Sequence, residues 1–452
     1  MQQSWTLHIE HLGKIENVDL TIAPLMFMLG DNNSGKSYAT SVLWGLLTLG
    51  KDFFPKHPSD AQRYKRCEQW LMTHQNKSFY MTSSDMQMYV DWFNDLLGGK
   101  KKEFLARIFN YEIDCGKIEL QNYQRRKCLR VVWEQKAVRY RFTSTEKIAR
   151  VRFPQREAYT REDYLRMNCY ICWNLLMDGI AAPLFAFAVK GRRIGEPVYL
   201  PASRTGFMLT YSQLLDSSLQ ASFSNDTENR TTLTLPYIDF LQVITKFGVG
   251  ASGQKSDPAK ESLVSFIESN MMGGRLKVKK GFLPQITYAM KEKGRDFPLY
   301  ITSSVITESA PLLLLLQSQI DFKTIVIEEP EAHLHPALQR LMARVMIRLM
   351  NMGKVVIVTT HSDTIMQHVN NMLKLSRHAR KAQIMKQFGY QEDDLLSDDQ
   401  VAVYQFRKNG QGRTQVGRIF PEKQGFILPT FNDELKKVLG EIYVLEDGDV
   451  DE

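Results

Sequence analysis

The chain opens with a strand-like pattern. Leu7, Ile9, Ile15, Val18, Leu20 and Ile22 are spaced among polar residues on either side of a polar turn, and Leu25 to Leu29 then form one unbroken apolar run. Such a run suits a strand buried on both faces at the centre of an α/β sheet. From Tyr38 the spacing of Val42, Leu43, Leu46, Leu47 and Leu49 turns helical. The order is strand, glycine-containing loop, helix. The same alternation returns late in the chain, with a strand at Thr324–Ile327, a helix at Pro336–Met352, a strand at Val355–Val358 and a helix from Asp363. A short strand, Val198–Pro201, leads into Ala202-Ser-Arg-Thr205, and Val401–Phe426 reads as a final strand pair. These elements predict an α/β fold with a mixed central sheet and flanking helices.

Between the two α/β stretches, residues 51–197 differ in character, with aromatic and basic residues throughout. Leu129–Trp133 and Val138–Phe142 alternate like the arms of a two-stranded hairpin. From Lys100 to Arg156 there are 16 Lys/Arg against 6 Asp/Glu, a local excess larger than the formal charge of +8 on the whole chain. The remainder is therefore slightly acidic, and the basic character belongs to this segment. No a/d heptad persists through it, which argues against a long coiled coil. Polar loops are expected around 222–232 and 248–258, and an acidic, disordered tail at 446–452.

Composition narrows the class further. The chain has 452 residues, 43% hydrophobic and 24% charged, which excludes a disordered or fibrous protein. The longest apolar stretch, Ile180 to Val189, is short of the roughly 18 residues a membrane span needs. No secretory signal opens the sequence, and five scattered cysteines form no disulfide framework. The expectation is a soluble, cytoplasmic protein without a membrane partner.

The candidate chemistry is concentrated in four places. Gly30-Asp31-Asn32-Asn33-Ser34-Gly35-Lys36-Ser37 fits G-x-x-x-x-G-K-[ST] in full. In that pattern the glycines let successive amides turn inward around phosphate oxygens, and the helix N-terminus adds its dipole. Lys36 is placed to reach the β- and γ-phosphates of ATP and Ser37 to ligate Mg²⁺. A second place, Ile325-Val-Ile-Glu328-Glu329-Pro330, is an apolar strand ending in two acids. Glu328 would hold the metal or its water, and Glu329 would orient and deprotonate the attacking water. The third, Val355–Thr360, delivers His361 at a strand end, where ligands of open α/β sheets bind. The fourth, Ile301-Thr-Ser303-Ser304-Val305, offers hydroxyls and helix-start amides to a phosphate. Three other features read as structure. Gly248–Ser256 lacks the G-K-S spacing and reads as a loop; Cys169-x-x-Cys172 reads as core packing; His333 and His335 read as local structure.

Together, Gly30–Ser37, Glu328-Glu-Pro-Glu-Ala-His-Leu-His-Pro336 and Thr-Thr-His361-Ser resemble the ATPase core of the SMC, RecF and OLD-type ABC ATPases. The likeness is strongest to the stand-alone ATPases of bacterial anti-phage defence systems of the PARIS, Septu or retron-associated type. It covers residues 1–50 and about 198–375. The resemblance implies an ABC-type P-loop ATPase whose large helical/β insertion (51–197) separates two parts of one lobe (1–50 and 198–376), followed by a C-terminal α/β segment (377–452). In the same way it implies Walker A at 30–37, Walker B and catalytic glutamate at Glu328 and Glu329, a D-loop at 331–336, a switch histidine at His361 and a signature at Ser303/Ser304. Val305 stands where that signature has glycine, which predicts an altered backbone approach and slow or partner-dependent turnover.

The resemblance further implies two copies sandwiching two ATP molecules, with Ser303/Ser304 completing the other copy's site, and a higher homo-oligomer beyond that dimer. It implies a sensor or scaffold that restrains a separate effector protein, a nuclease or toxin, because no complete nuclease site follows His361. The basic insertion is the candidate contact for that effector, a nucleic acid or a phage protein. The alternative is a RecF/SMC-like repair ATPase that clamps duplex DNA and shows a steep salt dependence. A membrane transporter subunit fits less well, given the atypical signature and the large insertion.

Overall fold

The computed structural model describes residues 3–447 apart from 136, 146, 186–187, 190–191, 224–232, 248–256, 280–283 and 291–294. The loop expected at 248–256, most of that at 222–232, and the last five residues of the acidic tail lie outside the described residues. Within the described chain, a final helix, Pro429–Asp447, runs into the start of that tail.

Nine strands form the central sheet: β1 (Gln3–Leu12), β2 (Ile15–Thr21), β3 (Leu25–Gly30), β4 (Lys117–Arg125), β5 (Val198–Leu200), β6 (Thr324–Glu328), β7 (Val355–Thr360), β8 (Val401–Lys408) and β9 (Thr414–Ile419). Their order across the sheet is β5-β6-β7-β3-β8-β9-β2-β1-β4. From β5 to β8 every neighbour is parallel. Beyond β8, the pairs β8–β9, β2–β1 and β1–β4 are antiparallel, and β9–β2 is parallel. This is the mixed α/β sheet that the hydrophobic pattern predicts.

The unbroken apolar runs have a direct cause. Along β3, Leu25, Phe27 and Leu29 face one core, whereas Met26 and Met28 face the other. Val326 and Ile357 point to the layer with the methionines, and Ile325, Ile327, Val356 and Val358 to the layer with Leu25, Phe27 and Leu29. Side chains alternate across a strand, so a sheet covered on both faces needs apolar residues at every position. One cover is helix Lys36–Leu49 with much of the 51–197 segment, including Trp92, Phe93, Phe104 and Trp173. The other cover contains helices Ser304–Gln317, Pro336–Asn351 and Asp363–Ser376.

Within the 51–197 segment, the expected hairpin is arranged differently. Cys128–Glu134 and Arg141–Ser144 do not pair with each other; Ile148–Pro154 lies between them, parallel to the first and antiparallel to the second. The parallel register sets Leu129, Val131 and Trp133 beside Ala149, Val151 and Phe153. Those six residues are buried in one core, so burial of two matched apolar faces decides the pairing rather than proximity in sequence. The same segment supplies β4, which pairs along β1 at the sheet edge.

Candidate active site

The backbone ladder first brings the dispersed motifs together. Thr360 of β7 is paired with Leu29 of β3, and Thr359 with Glu328 of β6. Three strand ends from opposite regions of the chain therefore deliver Gly30, Glu329 and His361 side by side. The cleft beyond them, about 390 Å³, is lined by Asn32 to Tyr38, by Glu329, Thr359 and His361, and on another wall by Leu12, Gly13 and Lys14.

Local sequence explains the loop. Gly30 has φ 140° and Gly35 φ 91°, backbone that a side chain resists. A Cβ at Gly30 would run into the Phe406 carbonyl of β8, and one at Gly35 would come within 2.8 Å of Ile15. Asn33 takes a left-handed conformation, φ 59°, which asparagine tolerates. Ser34 Oγ donates to the Asp31 carbonyl at 2.7 Å, closing the loop on itself. Helix Lys36–Leu49 starts at Gly35 with no side-chain cap and no acid in its first turn. Its leading amides are thus available to an anion and meet no competing carboxylate.

Lys36 is buried and donates to the Gly30 carbonyl at 2.8 Å and the Asp31 carbonyl at 2.7 Å. Burial pulls its pKa down to about 8, against the opposing pull of Glu329, Asp31 and Glu331. Lys408, at the end of β8, donates to the Asn32 carbonyl at 2.8 Å and adds a second cation near the loop.

The acid pair splits into two environments. Glu328 is 3% exposed and lies behind the cleft wall rather than on it. Its Oε2 accepts from the Ala202 amide at 3.3 Å, and the buried Oε1 has no hydrogen-bond partner. Glu329 turns out of the strand at φ 43° and presents a side chain 44% exposed to the cleft. Its backbone N–H still reaches the Thr359 carbonyl at 2.8 Å. His361 Nε2 stands 3.9 Å from Glu329 Oε1. Burial, with Lys36 nearby, lowers the imidazole pKa, so the ring is neutral at pH 7. Glu331, whose carboxyl pKa is raised by burial, accepts from the His361 backbone amide at 2.5 Å and fixes the strand end.

Ser303 and Ser304 do not join this cleft. They are exposed at the start of helix Ser304–Gln317, where Ser303 is the N-cap residue without a side-chain cap bond. His335 caps helix Pro336–Asn351 through its Nδ1, which accepts from the Ala337 amide at 3.3 Å, and Pro336 occupies the first turn. Cys169 and Cys172 are buried on one helix with thiol pKa values pushed up by burial, and no metal-ligating cluster occurs among the described residues.

The family model described as "AAA ATPase domain" matches residues 217–366. That stretch of the chain thus matches an ATPase domain, set within an α/β fold with a mixed central sheet. The match spans Ser303, Ser304, Glu328, Glu329 and His361, while the phosphate loop reaches the same cleft through β3. Three solved structures are similar over most of their length. One is the SMC head bound to the C-winged helix domain of ScpA, with 13% identity over 92% of this chain and 98% of that one, at a TM-score of 0.38. Another is the SMC head domain from Thermotoga maritima, with 10% identity, 93% and 99% coverage, and a TM-score of 0.34. The third is the Smc head domain with an extended coiled coil bound to the C-terminal domain of ScpA, derived from Pyrococcus furiosus, with 12% identity, 97% and 98% coverage, and a TM-score of 0.35. No curated protein matches. No helix among the described residues is long and apolar enough to cross a membrane.

Two residues beside this cleft escape motif reading. Arg204, fully buried, donates to the Glu328 carbonyl at 2.5 Å, to the Glu329 carbonyl at 3.1 Å and to the Pro201 carbonyl at 3.1 Å. It also pairs with the buried Glu308, one turn into helix Ser304–Gln317. The guanidinium fork thus clamps the strained turn at Glu329 and ties it to the serine-bearing helix. Tyr199 of β5 has its hydroxyl 3.4 Å from those of Thr40 and Ser41, beside the Glu328 carboxylate. A short strand ending in Pro-Ala-Ser-Arg marks the place, but nothing in the sequence says what the arginine meets.

Proposed function

We propose that the chain binds and hydrolyses ATP with Mg²⁺ at this cleft, and that two copies close over two nucleotides. The observation that supports the reading best is the convergence of Lys36, Glu329 and His361 on one cavity from strands almost 300 residues apart. The residues also suit the metal. Glu328 offers a buried carboxylate oxygen without a hydrogen-bond partner, and Ser37, in the first turn of helix Lys36–Leu49, lines the cleft. Glu328 and Ser37 would hold Mg²⁺, which when bound neutralises phosphate charge. Glycine-loop amides and Lys36 would take the β- and γ-phosphates. Glu329, solvent-facing, would accept a proton from water as the water oxygen bonds to the γ-phosphorus and the bond to the β–γ bridging oxygen breaks, releasing ADP and phosphate. His361, neutral and close to Glu329, would orient that water or a γ-oxygen.

Exposed Ser303 and Ser304 support the two-copy arrangement, because they stand at an open helix start next to exposed Tyr300 and Ile301. Helix Pro429–Asp447 exposes Val438, Leu439, Ile442 and Tyr443, an apolar surface suited to a higher homo-oligomer. In this reading ATP stabilises the dimer by contacting both faces, and hydrolysis removes that differential affinity. The D-loop-like stretch Glu331–Pro336 supports placing the chain as a cytoplasmic sensor or scaffold of an anti-phage system, its nucleotide state controlling a separate nuclease or toxin.

Glu329→Gln is the decisive variant. It is expected to bind ATP normally, to lose hydrolysis and to accumulate as an ATP-dependent dimer in light scattering. Hydrolysis at the unmodified rate would remove Glu329 from the mechanism. A protein that stays monomeric with ATP trapped in its cleft would remove the sandwich.

A further inference from the structure

The segment at 51–197 holds a second cavity, about 740 Å³, lined by none of the residues of the ATPase cleft. Its charge is lopsided. Arg139, Arg141, Arg156 and Arg166 face it, and Asp163 is the one acid among its lining residues. That carboxylate is already divided. It lies 3.3 Å from Arg156 and 4.0 Å from Arg166 while accepting from the backbone amide of Thr160 as part of a helix cap. The pocket therefore keeps a net positive field for an anionic ligand.

The other wall is aromatic. The rings of Tyr170 and Phe185 are parallel within 3° at 6.0 Å between centroids, and Tyr140 meets Tyr170 at 5.5 Å and 61°. Phe185 is 55% exposed and sits at φ 62°. A bulky residue in left-handed backbone costs free energy, and an exposed phenyl ring recovers little of it by burial. The fold thus holds a flat apolar ring open to solvent beside a cluster of guanidinium groups. Inorganic phosphate would use the arginines and leave the rings idle, and a purely apolar ligand would do the reverse. A nucleobase with its flanking phosphates uses both.

We propose that this pocket binds single-stranded nucleic acid, stacking unpaired bases on Phe185 while Arg141, Arg156 and Arg166 hold the adjoining phosphates. Free mononucleotides share that chemistry, so the test separates the two sources. A fluorescently labelled twelve-residue oligothymidine is titrated with the full chain and followed by anisotropy, in the Lys36→Ala background to silence the phosphate loop. Binding is expected to fall steeply with salt. Phe185→Ala should weaken it roughly five- to a hundredfold, as loss of one stacking platform does. Phe185→Trp should restore it, which excludes simple misfolding. Arg141→Glu should weaken binding at low salt and flatten the salt dependence, and ATP turnover in the unmodified-Lys36 chain should be unaffected by either pocket substitution. The proposal is overturned if the oligonucleotide fails to bind, if Phe185→Ala binds like the parent, if duplex of equal length binds as tightly as the single strand, or if AMP displaces the strand at equal concentration.

Discussion

The parallel and antiparallel halves of the sheet share one hydrogen-bonded surface but are built differently. From β5 to β8, strands are short, apolar at nearly every position and covered on both faces; Ile325, Val326, Val356, Ile357 and Phe27 have no exposed surface. In β1, β2 and β4, buried residues such as Leu7, Ile9 and Ile118 alternate with exposed or half-exposed polar ones such as His8, Glu10 and Lys117. His8 is held between Glu10 at 2.8 Å and Asp19 at 2.6 Å on that wetter surface, and these carboxylates raise its pKa against the opposing effect of burial, which is the largest single influence on the ring. The physical lesson is about where strand ends can be used. A strand enclosed on both faces has only its ends free, so β3, β6 and β7 project Gly30, Glu329 and His361 into one cleft. A strand wet on one face can recruit added segments along its edge, as β1 recruits β4 and, with it, the basic segment.

If that contrast is right, the parallel half should tolerate substitution badly even at positions that touch no nucleotide. Arg204→Met is the sharpest case and carries the largest expected effect in this set. It leaves Glu308 buried without its cation and removes the guanidinium's hydrogen bonds to the backbone carbonyls of Pro201, Glu308, Glu328 and Glu329. Breaking one side of a buried pair costs about 3–5 kcal/mol, which denaturant unfolding would register. The double variant Arg204→Met/Glu308→Leu should recover most of that stability, because two apolar groups need no compensation. Turnover should stay low in both, since the Glu329 turn has lost its clamp. Recovery of turnover together with stability would mean that Arg204 only supports the fold.

Proton linkage at Lys36 gives a second, smaller effect of opposite sign on two measurements. Burial lowers its pKa from 10.5 to about 8 in the nucleotide-free protein. Between those values the native state releases its proton before the unfolded chain does, so this group makes the free protein more stable as pH rises through the window. Binding of a triphosphate demands the charged form. ATP affinity should therefore be greatest below pH 8 and fall by up to about tenfold per pH unit above it. Calorimetry at pH 8.5 in buffers of different ionisation enthalpy should show proton uptake on binding, and the uptake should vanish in Lys36→Met. Uptake that persists in that variant would assign the linkage to another group.

What could be read from the sequence follows the same division. Continuous apolar runs at 25–29, 325–327 and 355–358 announce enclosed strands, and the motifs at their ends follow from position, because both faces are closed to chemistry. Where selection acts through partners distant in sequence, the chain gives little warning. Nothing around Val401–Phe406 says that β8 will lie directly beside β3 and set its Phe406 carbonyl against Gly30. Arg204 looks like any arginine after a turn until the Glu308 carboxylate and the carbonyls of Pro201, Glu308, Glu328 and Glu329 close around it. In the basic segment, alternation shows correctly that 129–133 is a strand, but two equally good apolar faces compete for it, and Ile148–Pro154 wins over the nearer Arg141–Ser144.

The mildest test probes the other half of the comparison, where structure and chemistry should separate. Helix Ser83–Phe109 covers the sheet through Phe93 and Phe104 and begins with a reciprocal cap: the Asp85 amide donates to Thr82 Oγ1 at 3.2 Å, and the Thr82 amide to Asp85 Oδ2 at 2.8 Å. Thr82→Ala removes the side-chain acceptor for one of the helix's orphan amides, at a cost of about 1 kcal/mol. Thermal unfolding should shift by only a few degrees. ATP turnover should match the parent, because neither Thr82 nor the helix start touches the cleft formed by β3, β6 and β7. Turnover that fell in step with stability would show the two halves to be one cooperative unit, and the division of labour argued from the sheet would fail at its least demanding point.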